Sequence, residues 1–192
     1  MSVRVERRGP VIVVTLDRPE KRNAFDAALT AGLSEAFDQF EDDPGLRVAI
    51  LTATGTVFSA GSDLLAGPGE PPARGGEYGL VRRLPLKPVI AAVQGPALGG
   101  GFELVLACDL VVAGRDVFFA LPEAVRGRVA NAGGLFRAAG RLPRNLAAEL
   151  LIAGGRLSAE RAFQAGLVNR LAESGQVVEC ALELARAVCG CA

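Results

Sequence analysis

Apolar residues recur along this chain with two periods, and the alternation between them lays out a fold. Ser2 to Arg7 and Val11 to Leu16 are rich in β-branched residues and are split by the turn dipeptide Gly9-Pro10, which predicts two strands hinged as a hairpin. From Asp26 to Asp42, Leu29, Leu33, Phe37 and Phe40 fall at spacings of four, four and three, the stripe of an amphipathic helix with Asp26 placed to cap it. Pro44-Gly45 ends that helix. Arg47 to Thr52 follows, and its contiguous Val48, Ala49, Ile50 and Leu51 predict a strand buried on both faces. Leu86 to Val93 and Cys108 to Ala113 predict further strands, and Phe118 to Leu121 a short one. Beyond Gly133 the pattern is helical at Gly134 to Ala139, Pro143 to Ala153, Ser158 to Ala165 and Gln176 to Val188, with a short strand at Leu167 to Leu171. Strands and helices interleaved in this way predict a layered α/β fold.

Two turns of small residues interrupt this pattern, each just after a strand. One runs from Thr54 to Leu64 and leaves the backbone bare at Ala60, Gly61 and Ser62, with Asp63 placed to cap a short helix. The other, Gly95 to Glu103, contains Gly99, Gly100 and Gly101 and leads into an apolar helical run. Successive glycines allow main-chain N–H groups to approach a ligand closely, and the start of a helix adds its positive dipole end, so an oxygen carrying negative charge is the expected visitor. Glu103, on the first helical turn among apolar neighbours, reads as a placed acid. Glu123 follows Pro122, a residue suited to the first turn of a helix. Two loops stand out as well. Asp17 to Asn23 is charged and aperiodic, with Arg18, Lys21 and Arg22 as its basic side chains. Residues 66–79, dense in Gly and Pro, predict a long irregular stretch that is a lid, a binding loop or disordered.

Composition narrows the chemistry. The 192 residues suit one domain with a substantial core. Lys plus Arg balances Asp plus Glu at 21 each, without a long block of either sign, so neither nucleic acid nor a membrane surface is an expected partner. The N-terminus lacks the apolar stretch of a signal peptide and no apolar run is long enough to span a bilayer, which predicts a cytoplasmic protein. The four cysteines show no C-x-x-C spacing, so free thiols are expected and no metal site. The chain has no histidine at all, which excludes imidazole bases, Ser-His-Asp triads and His metal ligands. Acid–base chemistry therefore falls chiefly to carboxylates.

Six motifs in order, Arg18-Pro-Glu-Lys-Arg-Asn-Ala24, Phe58-Ser-Ala-Gly-Ser-Asp-Leu64, Gln94 to Leu104, Leu121-Pro-Glu123, Ala132-Gly-Gly134 and Gly166-Leu-Val-Asn-Arg170, resemble the enoyl-CoA hydratase/isomerase (crotonase) family across essentially the whole chain. The resemblance implies a spiral of β-β-α units that binds an acyl-CoA thioester, with CoA as part of the substrate and no separate cofactor. It implies that the backbone N–H groups of Ser62 and Gly100 form the oxyanion hole and that Glu103 and Glu123 are the acid–base pair. Arg18, Lys21, Arg22 and Ala24 would meet the CoA moiety, and Ala60, Gly61, Asp63, Leu64 and Gly99 would line the substrate site. The loop from Leu65 to Leu84 would enclose the acyl tail, with Leu80, Val81 and Leu84 as its walls.

The activity implied is hydration of a trans-2-enoyl-CoA, as in fatty acid metabolism. Isomerisation, a carnitinyl-CoA-type dehydration and noncatalytic acyl-CoA binding stay open as alternatives. A homotrimer or dimer of trimers is implied too. Two departures bear on these expectations. Residues 1–192 read as one crotonase-like domain, with a spiral core over 1–172 and the start of a shortened C-terminal helical region over 173–192. Arg128 stands where the family usually shows an apolar residue and is expected to point to solvent; directed inward it would pair with Glu123 and depress its pKa.

Overall fold

The computed structural model describes residues 2–83 and 86–191. Leu84, expected to wall the acyl site, lies outside them. The chain opens with the hairpin β1 (Val3–Arg8) and β2 (Val11–Leu16), followed by α1 (Ala27–Asp42) and β3 (Val48–Ala53). Then come β4 (Val89–Val93), β5 (Ala97–Leu98), α2 (Gly100–Ala107), β6 (Leu110–Gly114) and β7 (Phe118–Ala120). The remainder is α3 (Gly134–Arg141), α4 (Arg144–Ala148), β8 (Arg156–Ser158), α5 (Ala159–Gln164), β9 (Arg170–Ala172) and α6 (Val177–Cys189). Six strands form one sheet in the order β1-β2-β3-β4-β6-β9, and β5, β7 and β8 form a second. Only the β1–β2 pairing is antiparallel in the larger sheet. This is the layered α/β arrangement expected.

The parallel strands are buried on both faces, and their side chains divide by the two-residue period. Ile12, Val14 and Leu16, Ala49 and Leu51, and Ala91 and Val93 join Leu29, Leu33, Phe37 and Phe40 of α1 in the larger core. Val11 and Val13, Val48 and Ile50, and Ile90 and Ala92 face the other way, against Val177, Ala181, Leu182 and Ala185 of α6. The last helix is thus joined by apolar contact to the sheet of the 1–172 segment. Asp26 caps α1 as expected, accepting from Leu29 N–H at 2.8 Å.

Several expectations need adjustment. The strand expected from Leu86 starts at Val89, after Pro88, and that expected over Leu167 to Leu171 is β9, with Leu167 and Val168 buried in the turn before it. The helix expected over Pro143 to Ala153 is α only to Ala148 and π-helical over Glu149–Ala153. Ser158 caps α5, accepting from Arg161 N–H at 3.2 Å, and also ends β8, a strand too short to show a period. The loop over 66–79 is not wholly irregular: Glu77–Gly79 forms a 3-10 turn, and Leu80 and Val81 behind it are core residues at 2% exposure. Those two are therefore not walls of a ligand site.

Candidate active site

The two small-residue turns leave the carboxyl ends of adjacent parallel strands, β3 and β4, where loops of a parallel sheet converge. They are then stitched together. Phe58 N–H donates to Pro96 O at 3.1 Å, Leu98 N–H donates to Ser59 O at 2.9 Å, and Ser59 and Ala97 form a parallel bridge. On the other side Phe25 N–H donates to Gly61 O at 2.8 Å and Asp63 N–H donates to Phe25 O at 2.9 Å. The neighbouring N–H groups of Ser62 and Gly100 are in none of the main-chain hydrogen bonds of these turns. A Cβ placed on Gly61 would sit 3.0 Å from Gly100 N, so the two turns touch at this point.

Each glycine of the run Gly99 to Gly101 makes room for a different neighbour. A Cβ on Gly99 would lie 2.8 Å from Glu123 Oε1, on Gly100 2.3 Å from the Tyr78 hydroxyl oxygen, and on Gly101 2.5 Å from Ser59 O. The run thus lets a carboxyl, a phenol and the first turn close on one another. Gly99 also has φ +52°, a left-handed backbone at the N-cap of α2.

Glu103 is 2% exposed and points from α2 toward α3, accepting the Gly134 N–H at 2.9 Å. A Cβ on Gly134 would come within 2.7 Å of Ala130 Cβ and 3.1 Å of the same Glu103 oxygen, and Gly133 has φ +107°, so each glycine of the Ala132-Gly-Gly134 motif has its own reason. Burial pushes the Glu103 carboxyl up from 4.5 to about 7; the Gly134 N–H opposes this, the Glu123 charge adds to it, and the Ala132 N–H and Arg137 oppose it. Glu123 is the residue before the 3-10 turn Ala124–Arg126, rather than in a longer helix. Burial raises its pKa too, against its own backbone N–H and the Arg126 charge. Its Oε2 atom is buried without a hydrogen-bond partner among the described residues. A buried carboxyl oxygen left in this way is available to a ligand or water.

These groups border one cleft, which also receives Ala60, Leu64, Tyr78, Arg128 and Asn131. Arg128 is exposed at its rim, as expected; Arg126, not Arg128, is the arginine whose charge acts on Glu123. The cleft continues past Ala60, Ser62, Leu64 and Arg126 into a second arm bordered by Lys21, Arg22, Ala24 and Asp63. Lys21 and Arg22 are exposed, and among the described residues neither is in an ion pair. Arg18 is occupied elsewhere: its guanidinium meets Asp63 at 3.0 Å, Asp26 at 3.2 Å and the Ala24 carbonyl at 2.8 Å. It braces the loop, and its charge is already matched by two carboxylates. Asp63 caps a turn instead of a helix, accepting from Ala66 at 3.2 Å and Leu65 at 3.0 Å; these N–H groups, with Arg18, hold its carboxyl at about 2.

Two residues of the site stood outside the sequence expectations. Tyr78 is buried with φ +57°, in the left-handed region that disfavours a side chain; its hydroxyl is 3.0 Å from Ser62 Oγ and its ring centroid 5.0 Å from that of Phe25. Burial, together with the charges of Glu103, Glu123 and Glu77 and against the Ser62 bond, pushes its phenol up to about 12, so it stays protonated. Asn23 is fully buried and ties the basic loop to the first turn. Its side-chain N–H groups donate to Thr54 O at 2.9 Å and Val57 O at 2.8 Å, while its Oδ1 accepts from Arg18 N–H at 2.8 Å. That Tyr78 is the lone tyrosine was the single available signal for it.

The loops of this parallel sheet bring two main-chain donors, free of the turns' own main-chain hydrogen bonds, beside one buried and one half-buried carboxyl, an arrangement that can stabilise an oxyanion next to acid–base groups. The family model described as enoyl-CoA hydratase/isomerase matches residues 6–190, and the chain belongs to that family. A carnitinyl-CoA dehydratase of Salmonella typhi is 47% identical over 192 residues, covering 96% of this chain and 73% of that protein. Among solved structures, a carnitinyl-CoA dehydratase from Mycobacterium avium 104 is 47% identical with a TM-score of 0.93, covering 97% of this chain and 76% of that one. An enoyl-CoA hydratase from Mycobacterium tuberculosis H37Rv is likewise 47% identical, with a TM-score of 0.94 and coverage of 97% and 75%. The crotonase-type fold and a hydratase- or dehydratase-type reaction follow. No helix among the described residues is long and apolar enough to cross a membrane.

Proposed function

We propose that this chain is an enoyl-CoA hydratase that adds water across the 2,3-double bond of a trans-2-enoyl-CoA. The observation that supports this best is the pairing of Glu103 with Glu123, both raised by burial, beside the unengaged N–H groups of Ser62 and Gly100. In this reading the thioester oxygen accepts both N–H groups. As water attacks C3, electrons move through C2 onto that oxygen, and the two fixed donors meet the charge where it develops; losing one such donor typically costs about 100- to 1000-fold in rate. Burial raises both pKa values, which favours keeping one proton on the pair; in this reading the ionised carboxyl takes a proton from the attacking water while the protonated one delivers its own to C2. The net change is one water added, with C3 gaining the hydroxyl and C2 the hydrogen. Lys21 and Arg22 would face the CoA phosphates from the second arm.

The names of the similar proteins favour a second reading, dehydration of a carnitinyl thioester on the same residues. It runs the same chemistry in the opposite direction with a different acyl tail. Hydration of crotonyl-CoA, followed by loss of the conjugated thioester absorbance, tests the first reading. Turnover in the parent that collapses in both Glu103→Gln and Glu123→Gln is expected. Turnover that survives both substitutions would remove the two-carboxyl mechanism, and an inert parent would remove hydration itself.

A further inference from the structure

Three guanidinium groups, those of Arg22, Arg126 and Arg128, border the cleft, and they differ in which of its arms they reach. Arg126 stands at the junction and borders both. Arg128 borders only the arm that holds Glu103 and Tyr78, with Val129 and Asn131, and is absent from the arm of Lys21 and Arg22. If the thioester oxygen lies at Ser62 and Gly100 and the CoA moiety runs toward Lys21 and Arg22, the arm containing Arg128 receives the acyl chain. The backbone there is held back over the cleft: Gly127 turns the chain at φ +64°, and Arg128 N–H donates to Glu123 O at 2.9 Å. The Arg128 side chain is exposed and in no ion pair among the described residues, and the charge acting on Glu123 comes from Arg126. It is a cation on the acyl side of the cleft with no carboxylate of its own.

We propose that Arg128 recognises a carboxylate at the far end of the acyl chain, so that the preferred ligands are CoA thioesters of dicarboxylic acids. This rests on the acyl-CoA reading above. A guanidinium matches a carboxylate with two parallel N–H donors and stays charged at every working pH. The same charge repels a quaternary ammonium such as the carnitinyl tail. Sites for such cations are lined with aromatic faces, whereas among the described residues bordering this arm Tyr78 is the one aromatic, and its ring packs on Phe25.

Calorimetric titration of the full chain with glutaryl-CoA, butyryl-CoA and γ-butyrobetainyl-CoA tests this, since all three are saturated and need no turnover. In the parent, glutaryl-CoA is expected to bind about tenfold more tightly than butyryl-CoA, and the betaine thioester more weakly than either. In Arg128→Leu the glutaryl-to-butyryl ratio is expected to fall to about one. Both ligands are read on the same variant, so a general loss of folded protein cancels in the ratio. An even ratio in the parent, a ratio unchanged in Arg128→Leu, or preference for the betaine would overturn the proposal. Crotonyl-CoA hydration kept apart from these titrations separates the two claims: turnover with no glutaryl preference removes the carboxylate site alone. The preference without turnover upholds it and removes hydration. Absence of binding by all three thioesters would overturn the proposal together with the acyl-CoA reading.

Discussion

Replacing Glu103 by Gln exchanges a buried ionisable carboxyl for a neutral amide of nearly the same shape, and the structure says what that should do to stability. Glu103 is 2% exposed, and burial lifts its pKa from 4.5 to about 7. Below the lower value the carboxyl is neutral in folded and unfolded chains alike, so it makes no difference. As pH rises from 4.5 toward 7 the unfolded chain gives up its proton first, and folded stability declines. Above the folded pKa the native state carries the full cost of a buried charge, about 3 kcal/mol at 1.36 kcal/mol per pKa unit. The substituted amide is free of that cost and keeps an oxygen to accept the Gly134 N–H, which Glu103 takes at 2.9 Å. Glu103→Gln is therefore expected to be more stable than the parent by about 3 kcal/mol near pH 8, or roughly 6–12 °C in Tm for a chain of this size, with the gap reduced to about 1 kcal/mol near pH 5. Crotonyl-CoA hydration should fall at least about 100-fold in the same variant. Urea unfolding followed by circular dichroism at both pH values measures the gap. A gap independent of pH, or a variant less stable than the parent near pH 8, would refute the reasoning.

Gly100→Ala drives a methyl to 2.3 Å from the Tyr78 hydroxyl oxygen, so it should lose about 1–3 kcal/mol of stability by denaturant unfolding as well as hydration activity. An unaltered denaturation midpoint would mean the phenol does not pack there. Tyr78→Phe removes only the bond to Ser62 Oγ, 3.0 Å away; if Tyr78 positions the Ser62 turn, kcat drops by about three- to tenfold while KM stays nearly constant. A change confined to KM would assign the hydroxyl to ground-state binding instead. The double variant Lys21→Ala, Arg22→Ala should weaken CoA binding by about tenfold in low salt and much less in about 0.5 M salt, because exposed charges are screened. Equal loss at both salt concentrations would exclude a phosphate-facing role.

Much of the fold was legible because local pattern and burial agree. The spacing of Leu29, Leu33, Phe37 and Phe40 shows one face of α1, and that face meets the sheet whose own residues alternate between two cores. A contiguous apolar run marked β3 as a strand covered on both sides, and the run ending at Val93 marked β4 as a strand. β5 and β8 were missed because two or three residues cannot display a period, and their pairing with β7 depends on partners distant in the chain. The helix after Pro143 was foreseen but its π-helical second half was not, since nothing in Glu149 to Ala153 alone distinguishes the two windings.

At the candidate site the division is similar. Glycine runs and isolated carboxylates announce themselves in a sequence without histidine, and the family motifs supply their order. What each glycine accommodates is a different matter: Gly99, Gly100 and Gly101 look alike in the chain, yet they admit Glu123, Tyr78 and Ser59 respectively. Arg18 looks like its neighbours Lys21 and Arg22, but Asp26 and Asp63 claim its charge. Tyr78 lay in a stretch whose Gly and Pro content predicts only irregularity, and Leu80 and Val81 beside it turned out to be core. The sequence by itself determined the layered α/β class, because periodicity is a local property, and its motifs carried the resemblance that named the family and singled out the two glutamates as candidates. The tertiary structure alone decided which oxygen each glycine admits, which arginine is already paired and where a carboxyl is buried enough to titrate near neutrality. Those outcomes depend on distances between segments far apart in the chain and on the low dielectric they create together.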